Sequence, residues 1–219
     1  MQIENMEVFN LEGAFRGMRN PMESYDKSDS RYEYNRFLKT GKSYILGEKD
    51  LILAQKLIKA GKDHRKFMRQ ILVSMDITAS MSFWWDIDTY KISTEKNSTS
   101  RMHKLTSKNC RHLTIEDFNW DHITQYRDIT LSHINALIDT LQSLVEKGQS
   151  VMSEAYQIIF TELINDLPEG YLFTRHWTGN YEVLISLLVA RKNHKQEEIR
   201  DFCVKLEDLP YYNELLASK

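Results

Sequence analysis

Apolar side chains recur along this chain at two periods, and the switches between them mark its elements. From Glu48 to Ala60, Leu51, Ile52, Ala54, Leu57 and Ile58 hold the spacing of one helical face, with Glu48 and Asp50 in the first turn and Gly61 as a stop. Farther on, Ile71, Val73, Met75 and Ile77 alternate with Leu72, Ser74, Asp76 and Thr78, the period of a half-buried strand, and residues 69–78 are predicted as one. Ser80 to Tyr90, with Phe83, Trp84 and Trp85, reads as a short aromatic helix. The longest stripe runs from Ile123 to Lys147, with Ile134, Leu137, Ile138, Leu141, Leu144 and Val145 on one face and Gly148 behind it; such a stripe predicts core or a subunit interface. Helices are also predicted at Val151–Ile164, ending before Leu167-Pro168-Glu169-Gly170, at Asn180–Ala190, at Lys195–Leu206 and, behind Pro210, at Tyr211–Ala217. Near the start, Met6 to Phe9 predicts an edge strand and Leu11 to Met18 a small helix. Arg19 to Arg36 lacks periodicity and carries turn chemistry at Asn20-Pro21 and Asp29-Ser30. It is either a solvated connection or a ligand-covering loop whose Arg16, Arg19 and Arg31 reach a phosphate.

Composition narrows the picture. Only three prolines and eight glycines interrupt 219 residues, so helix is expected to dominate, and 42% hydrophobic content is enough for one domain with a buried core. Lys and Arg number 29 against 31 Asp and Glu, a formal net charge of −2, so neither nucleic acid nor a membrane surface is expected as a partner. An anionic ligand has to be held locally. The longest apolar run, Val183 to Ala190, falls short of the ~20 residues that span a bilayer. Cys110 and Cys203 lie far apart behind a polar start, which predicts free thiols in the cytoplasm.

Three places carry candidate chemistry. Asp86 to Met102 leaves the tryptophan-rich segment as a hydroxyl-rich loop ending at Arg101, a side chain able to hold an anion. Lys56, Lys59, Lys62, His64, Arg65, Lys66 and Arg69 crowd the end of the 48–60 helix, where cations favour the helix dipole and where a phosphate would also find donors; His64 is expected where the strand begins. Thr178-Gly179-Asn180 is followed by Arg191, His194, Gln196, Glu198 and Arg200, with Asn180 a sound N-cap for a helix starting at Tyr181. His103, Cys110, His112 and His122 match no zinc spacing, so no metal site is expected. No dinucleotide fingerprint, Walker loop, Gly-x-Ser-x-Gly or His-Glu-x-x-His occurs, and Ser–His or Cys–His catalysis cannot be argued from spacing.

The order of these pieces resembles the flavin-dependent thymidylate synthase family, whose members methylate dUMP using FAD, methylenetetrahydrofolate and NADPH. That family's signature begins Arg-His-Arg and runs on to Asn-Glu-x-Ser-x-Arg-Tyr. Counting back from Arg101 without gaps, Thr99 and Arg101 fall on its Ser and Arg, Asn97 on its Glu, and Thr89-Tyr90-Lys91 where Arg-His-Arg stands. Downstream, Leu167-Pro168, Gly179-Asn180, Leu184, Leu188 and Arg191, then His194, Gln196, Glu198 and Ile199, follow the family's Leu-Pro, Gly-Asn, Leu-x-Arg and His-Ala-Gln-x-Glu-Ile-Arg, one residue short after Arg191.

The resemblance implies an α+β, mainly helical single domain with a small antiparallel sheet. Residues 1–42 would form an N-terminal strand and loop, 43–105 and 150–219 two family-like halves, and 106–149 an inserted long helix. It implies that Arg191 contacts the pyrimidine and polarises it as the catalytic residue, and that Arg101, with Thr99 and Asn97, holds the nucleotide. His64, Lys66, Arg69, Thr89, Tyr90, Lys91, Asn180 and His194 would stand on the flavin side. It also implies FAD as cofactor, NADPH and methylenetetrahydrofolate as co-substrates, and a homotetramer in the cytoplasm. Two departures stand out: only Lys91 keeps a cation where the family has Arg-His-Arg, and Lys66 and Arg69 replace a Thr and a Glu. Thr89 and Tyr90 cannot give a phosphate the charge-assisted bonds that guanidinium gives. The alternative implied by that loss is an inactive member of the fold that binds a nucleotide or a protein.

Overall fold

In the computed structural model, which describes residues 1–34, 36, 41–107 and 110–217, the alternating stretch is a strand whose Val73, Met75, Ile77 and Ala79 are fully buried while Ser74, Asp76 and Thr78 are half-exposed. In chain order the strands are β1 Gln2–Phe9, β2 Arg31–Tyr34, β3 Lys42–Ile45, β4 Leu72–Ser80, β5 Glu95–Ser98 and β6 Leu172–Asn180. The helices are α1 Leu11–Gly17, α2 Glu48–Lys59, α3 Met81–Ile87, α4 Arg101–Leu105, α5 Gln125–Glu146, α6 Glu154–Asp166, α7 Tyr181–Arg191 and α8 Glu197–Lys205. The fold is therefore α+β and mainly helical. One sheet runs β1–β4–β6–β5, and β2 pairs antiparallel with β3, Tyr32 opposite Tyr44.

Most long periodic stretches fold as their patterns predict, with side chains setting the ends. Ser80, Thr124, Ser153 and Asn180 each accept a bond from a backbone N–H in the first turn of α3, α5, α6 and α7. Four readings are corrected. The strand predicted at 69–78 starts at Leu72, because Lys66–Arg69 is a 3-10 turn that turns Phe67 and Met68 inward. Arg19–Arg36 is not all loop, since its end forms β2. The polar stretch from Asp86 contains β5, whose Glu-Lys-Asn-Ser sequence carries no apolar signal and is held by sheet pairing. No element was expected at 172–180, where β6 stands.

Contacts group the chain into two compact units, the first made of Met1–Gln2, Ile77–Thr89 and Asn97–Arg175, the second of Ile3–Asp76, Tyr90–Lys96 and His176–Lys219. In the first, α5 lies on α6 and buries Ile134, Leu137, Ile138 and Leu141 as the stripe predicts, leaving Leu144 and Val145 half-exposed. Trp84 is buried there, edge-on to Phe83, and its indole N–H donates to the Phe173 carbonyl at 3.4 Å.

In the second unit, Ala54, Ile58, Phe67, Met68, Tyr181, Leu184, Ile199 and Phe202 are buried. Arg19 lies there as a buried ion pair rather than in a solvated loop: its Nε donates to Asp50 Oδ1 at 2.5 Å, and its other nitrogens donate to the Ser24 and Lys27 carbonyls at 3.1 and 3.2 Å. Ser28 and Ser30 donate to the second Asp50 oxygen, and Asp29 accepts from the Lys49 and Asp50 N–H groups that open α2. The turn chemistry at Asp29-Ser30 is thus a long-range cap. A π-helical turn, Tyr212–Leu216, closes the chain with Leu215 and Leu216 buried, and the Tyr211 hydroxyl accepts the Leu46 N–H at 2.8 Å.

Candidate functional site

Each unit carries one cluster of the predicted site residues. In the first unit, Ser100 caps the short helix α4 by accepting from the His103 N–H, and this places Arg101 at its first position. Arg101 lines a cavity of about 290 Å³ together with Ser98, Thr99, Phe173 and Arg175. Its Nη1 lies 2.9 Å from Met81 Sδ and its guanidinium 5.9 Å from the centre of the Phe173 ring.

Arg175 approaches that ring more closely, at 5.0 Å, lies 4.6 Å from the Trp84 ring, and binds both Asp88 oxygens from Nη1 at 2.9 and 3.0 Å. Its Nε is buried with no hydrogen-bond partner among the described residues. Two guanidiniums and a row of hydroxyls therefore meet an apolar wall of Met81, Trp85, Met102 and Ile164. That combination suits a ligand with an anionic end and a planar or apolar body.

Thr99 is held on β6, its N–H donating to the Thr174 carbonyl at 2.9 Å and its hydroxyl to the same oxygen at 3.2 Å. Asn97 is exposed on β5 and does not line the cavity. Thr89 is exposed, its hydroxyl donating to the Asp86 carbonyl at 2.7 Å at the end of α3. Sequence reasoning missed Arg175, although a signal was present: Phe173, Arg175, Trp177 and Gly179 share one face of β6, and a cation on an otherwise apolar face is the informative exception.

In the second unit, Arg191 ends α7 with its guanidinium 5.8 Å from the centre of the Tyr90 ring, so the residue expected on the pyrimidine meets one expected on the flavin. His194 follows in a turn that Arg200 fixes by donating to the carbonyls of His194 and Lys195 at 2.7 and 2.8 Å. The ring Nδ1 accepts the Gln196 N–H at 3.2 Å, which puts the proton of the neutral imidazole on Nε2. Asn180 is buried, and its side-chain oxygen accepts the Val183 N–H at 3.0 Å, the capping role.

The basic cluster divides. Arg65 is buried and bidentate to Glu182 at 2.7 and 2.8 Å, whereas His64, Lys66, Arg69 and Lys91 are exposed. His64 does not begin a strand; its N–H closes a turn on the Gly61 carbonyl at 3.0 Å.

Cys110 and Cys203 are free thiols, and burial pushes Cys203 up to about 11, away from thiolate chemistry. Among the described residues, one group has the closeness of metal ligands, the exposed His133, Glu162 and Asp166, and it includes none of His103, Cys110, His112 or His122. No described helix is long and apolar enough to cross a membrane.

No family model matches the chain, and no curated protein matches it. Solved structures do. The flavin-dependent thymidylate synthase ThyX from Helicobacter pylori, complexed with FAD and dUMP, superposes with a TM-score of 0.70 at 16% identity, over 99% of this chain and 98% of that one. A second structure of the Helicobacter pylori enzyme, also with FAD and dUMP, gives a TM-score of 0.69 at 16% identity, over 99% and 97%. The chain has the fold of flavin-dependent thymidylate synthase, as the order of its motifs implied.

Proposed function

Proceeding from that shared fold, we propose that this chain is a divergent flavin-dependent thymidylate synthase-like protein that binds a pyrimidine nucleotide of the dUMP kind. The observation that carries the reading is the cavity where Arg101 and Arg175 stand over Phe173 beside Thr99. The two guanidiniums would hold the phosphate, Arg101 from the first turn of α4 and Arg175 through the side of its fork turned from Asp88. Thr99, anchored to Thr174, would add a hydroxyl acceptor.

In the second unit, Arg191 would be the polarising donor that the resemblance implies, its guanidinium able to stabilise negative charge that develops on a carbonyl oxygen. Its contact with Tyr90 limits the guanidinium to one side of that ring and so sets its direction. FAD, when bound, supplies the hydride for reductive methylation, with methylenetetrahydrofolate and NADPH as co-substrates. Lys66, Arg69 and Lys91, which are exposed cations, and His64 and His194, with ring N–H donors, are the side chains that would meet its pyrophosphate. Assembly as a homotetramer in the cytoplasm completes the reading.

A second reading, an inactive nucleotide- or protein-binding member of the fold, is favoured by one observation. The Thr89 hydroxyl already donates to Asp86 and Tyr90 lies against Arg191, so neither replaces the charge of the family's Arg-His-Arg. Purified protein decides between them. A flavin absorbance band, retained or restored by adding FAD, with dTMP formed from dUMP, supports the enzyme. A thermal shift with dUMP and no flavin band supports the binding module, and no shift with dUMP overturns the nucleotide reading altogether.

A further inference from the structure

Separately from the nucleotide site, the second unit holds a serine, a histidine and an aspartate in series. Ser74 and Asp76 are two residues apart on β4 and so share a face, and His176 stands beside them on β6. The Ser74 hydroxyl lies 3.1 Å from His176 Nε2, and His176 Nδ1 lies 2.7 Å from Asp76 Oδ1. The remaining Asp76 oxygen accepts from Asn5 Nδ2 at 2.8 Å, from β1. The Asn5 and His176 bonds, Asn5 first, hold the Asp76 carboxyl below its usual range, so it is ionised where an imidazole titrates.

The order of atoms is what separates this trio from an ordinary polar network. The carboxylate fixes the proton on Nδ1 and leaves the Nε2 lone pair facing the hydroxyl, the tautomer that a general base requires. A cavity of about 440 Å³ opens beside the nucleophile. Ser74 is in its wall, Phe9 and Leu72 give it an apolar side, and Ser93 and Thr178 add hydroxyls without a partner among the described residues. Ser93 is held at a φ of 62°, a left-handed conformation uncommon for serine.

We infer that Ser74, His176 and Asp76 form a hydrolytic triad that cleaves small carboxylic esters. Ser74 Oγ attacks the ester carbonyl while its proton passes to His176 Nε2. The tetrahedral adduct then collapses, the bond to the alkoxy oxygen breaks, and that oxygen leaves with the proton from His176, so an acyl group remains on Ser74. Water attacks this second ester, giving its proton to His176. The bond to Ser74 Oγ breaks, Oγ takes the proton back, and the carboxylic acid is released. Ser74 and His176 are the catalytic residues, and Asp76, braced by Asn5, is a positioning residue.

The test uses the full-length protein with p-nitrophenyl acetate and with a fluorophosphonate. A burst of nitrophenol followed by steady turnover is expected, with the fluorophosphonate located on Ser74 by peptide mass spectrometry. S74A and H176A should each lower the rate at least about 100-fold, and the double variant should be no worse than either, because the two residues act as one unit. In the wild type the rate should rise with pH and then level. D76N should lower the rate and displace that profile, which a purely structural aspartate would not do. If S74A fails to fold, S74T decides: it keeps the hydrogen bond to His176 while its methyl hinders attack, so it should fold and remain slow. Labelling at residues other than Ser74, or hydrolysis undiminished in folded S74A or S74T, overturns the proposal.

Discussion

Arg19 and Arg101 belong to separate units and to opposite solutions for a guanidinium. Arg19 is buried with each of its nitrogens bonded, to Asp50, Ser24 and Lys27, so its charge is consumed inside the protein. Arg65 is the same case, closed bidentate by Glu182. Arg101 meets a thioether and an aromatic face and no carboxylate among the described residues, while Arg175 beside it stacks on the same ring and binds Asp88 through Nη1 alone. An arginine's place in the sequence says that a cation is available; only the neighbouring carboxylates say whether it still seeks an anion.

The largest expected break of this contrast lies in activity. Arg191→Ala should abolish dTMP formation while leaving circular dichroism and the thermal midpoint close to wild type; turnover unchanged in that variant refutes its assigned role. Next comes stability. Arg19→Ala leaves Asp50 buried and unpaired and should cost about 3–5 kcal/mol in denaturant unfolding, whereas dUMP affinity of the folded protein should be untouched.

Arg101→Ala and Arg175→Ala should reverse that pattern. Each loses a charge-assisted contact of about 1.5–3 kcal/mol, so calorimetry should find dUMP affinity lower by about 10–100-fold with little change in melting. Equal loss of stability from Arg19→Ala and Arg101→Ala would erase the distinction between the two regions.

Acid offers a gentler probe. Burial pushes the Asp50 carboxyl up, but bonds from Ser28, Ser30 and Arg19 together outweigh it and leave the pKa lowered. The stabilisation from a lowered carboxylate is complete above its unfolded value of about 3.9 and is lost as pH falls through the lower folded value. The stability gap between wild type and Asp50→Asn should therefore stay constant above about pH 5 and shrink below about pH 4. The smallest effect is expected at Asn180→Ala, about 1 kcal/mol from a lost helix cap, measured by thermal melting.

Much of the fold could be read where one physical term dominates. Ala54 and Ile58 of the α2 stripe, Ile134, Leu137, Ile138 and Leu141 of the α5 stripe, Leu184, Leu187 and Leu188 of α7 and the apolar face of β4 are buried, whereas Ile52 is exposed and Leu51, Leu57, Leu144 and Val145 are half-exposed. Strands whose support comes from neighbours rather than from their own side chains were invisible: β5 is polar throughout, and β2 is exposed along its whole length. Of the candidate residues, Arg101 in the first unit and Arg191 in the second are proposed from motif order, whereas Arg175 escapes that reading because the strand that carries it has no predicted element. Ser74, Asp76 and His176 were unreadable for a different reason. Their chemistry depends on two strands lying side by side, and 100 residues separate Asp76 from His176 in the chain.

The bond from the Leu46 N–H to the Tyr211 hydroxyl links positions 165 residues apart. A growing chain emerges from its N-terminal end, so the entry to α2 has no such partner until Tyr211 has been made. Until then Leu46 can be only provisionally placed. Non-local closure of this kind slows folding, and a chain stopped a few residues before Tyr211 would leave that amide to solvent and Tyr44, whose carbonyl accepts from the same hydroxyl, without its tether.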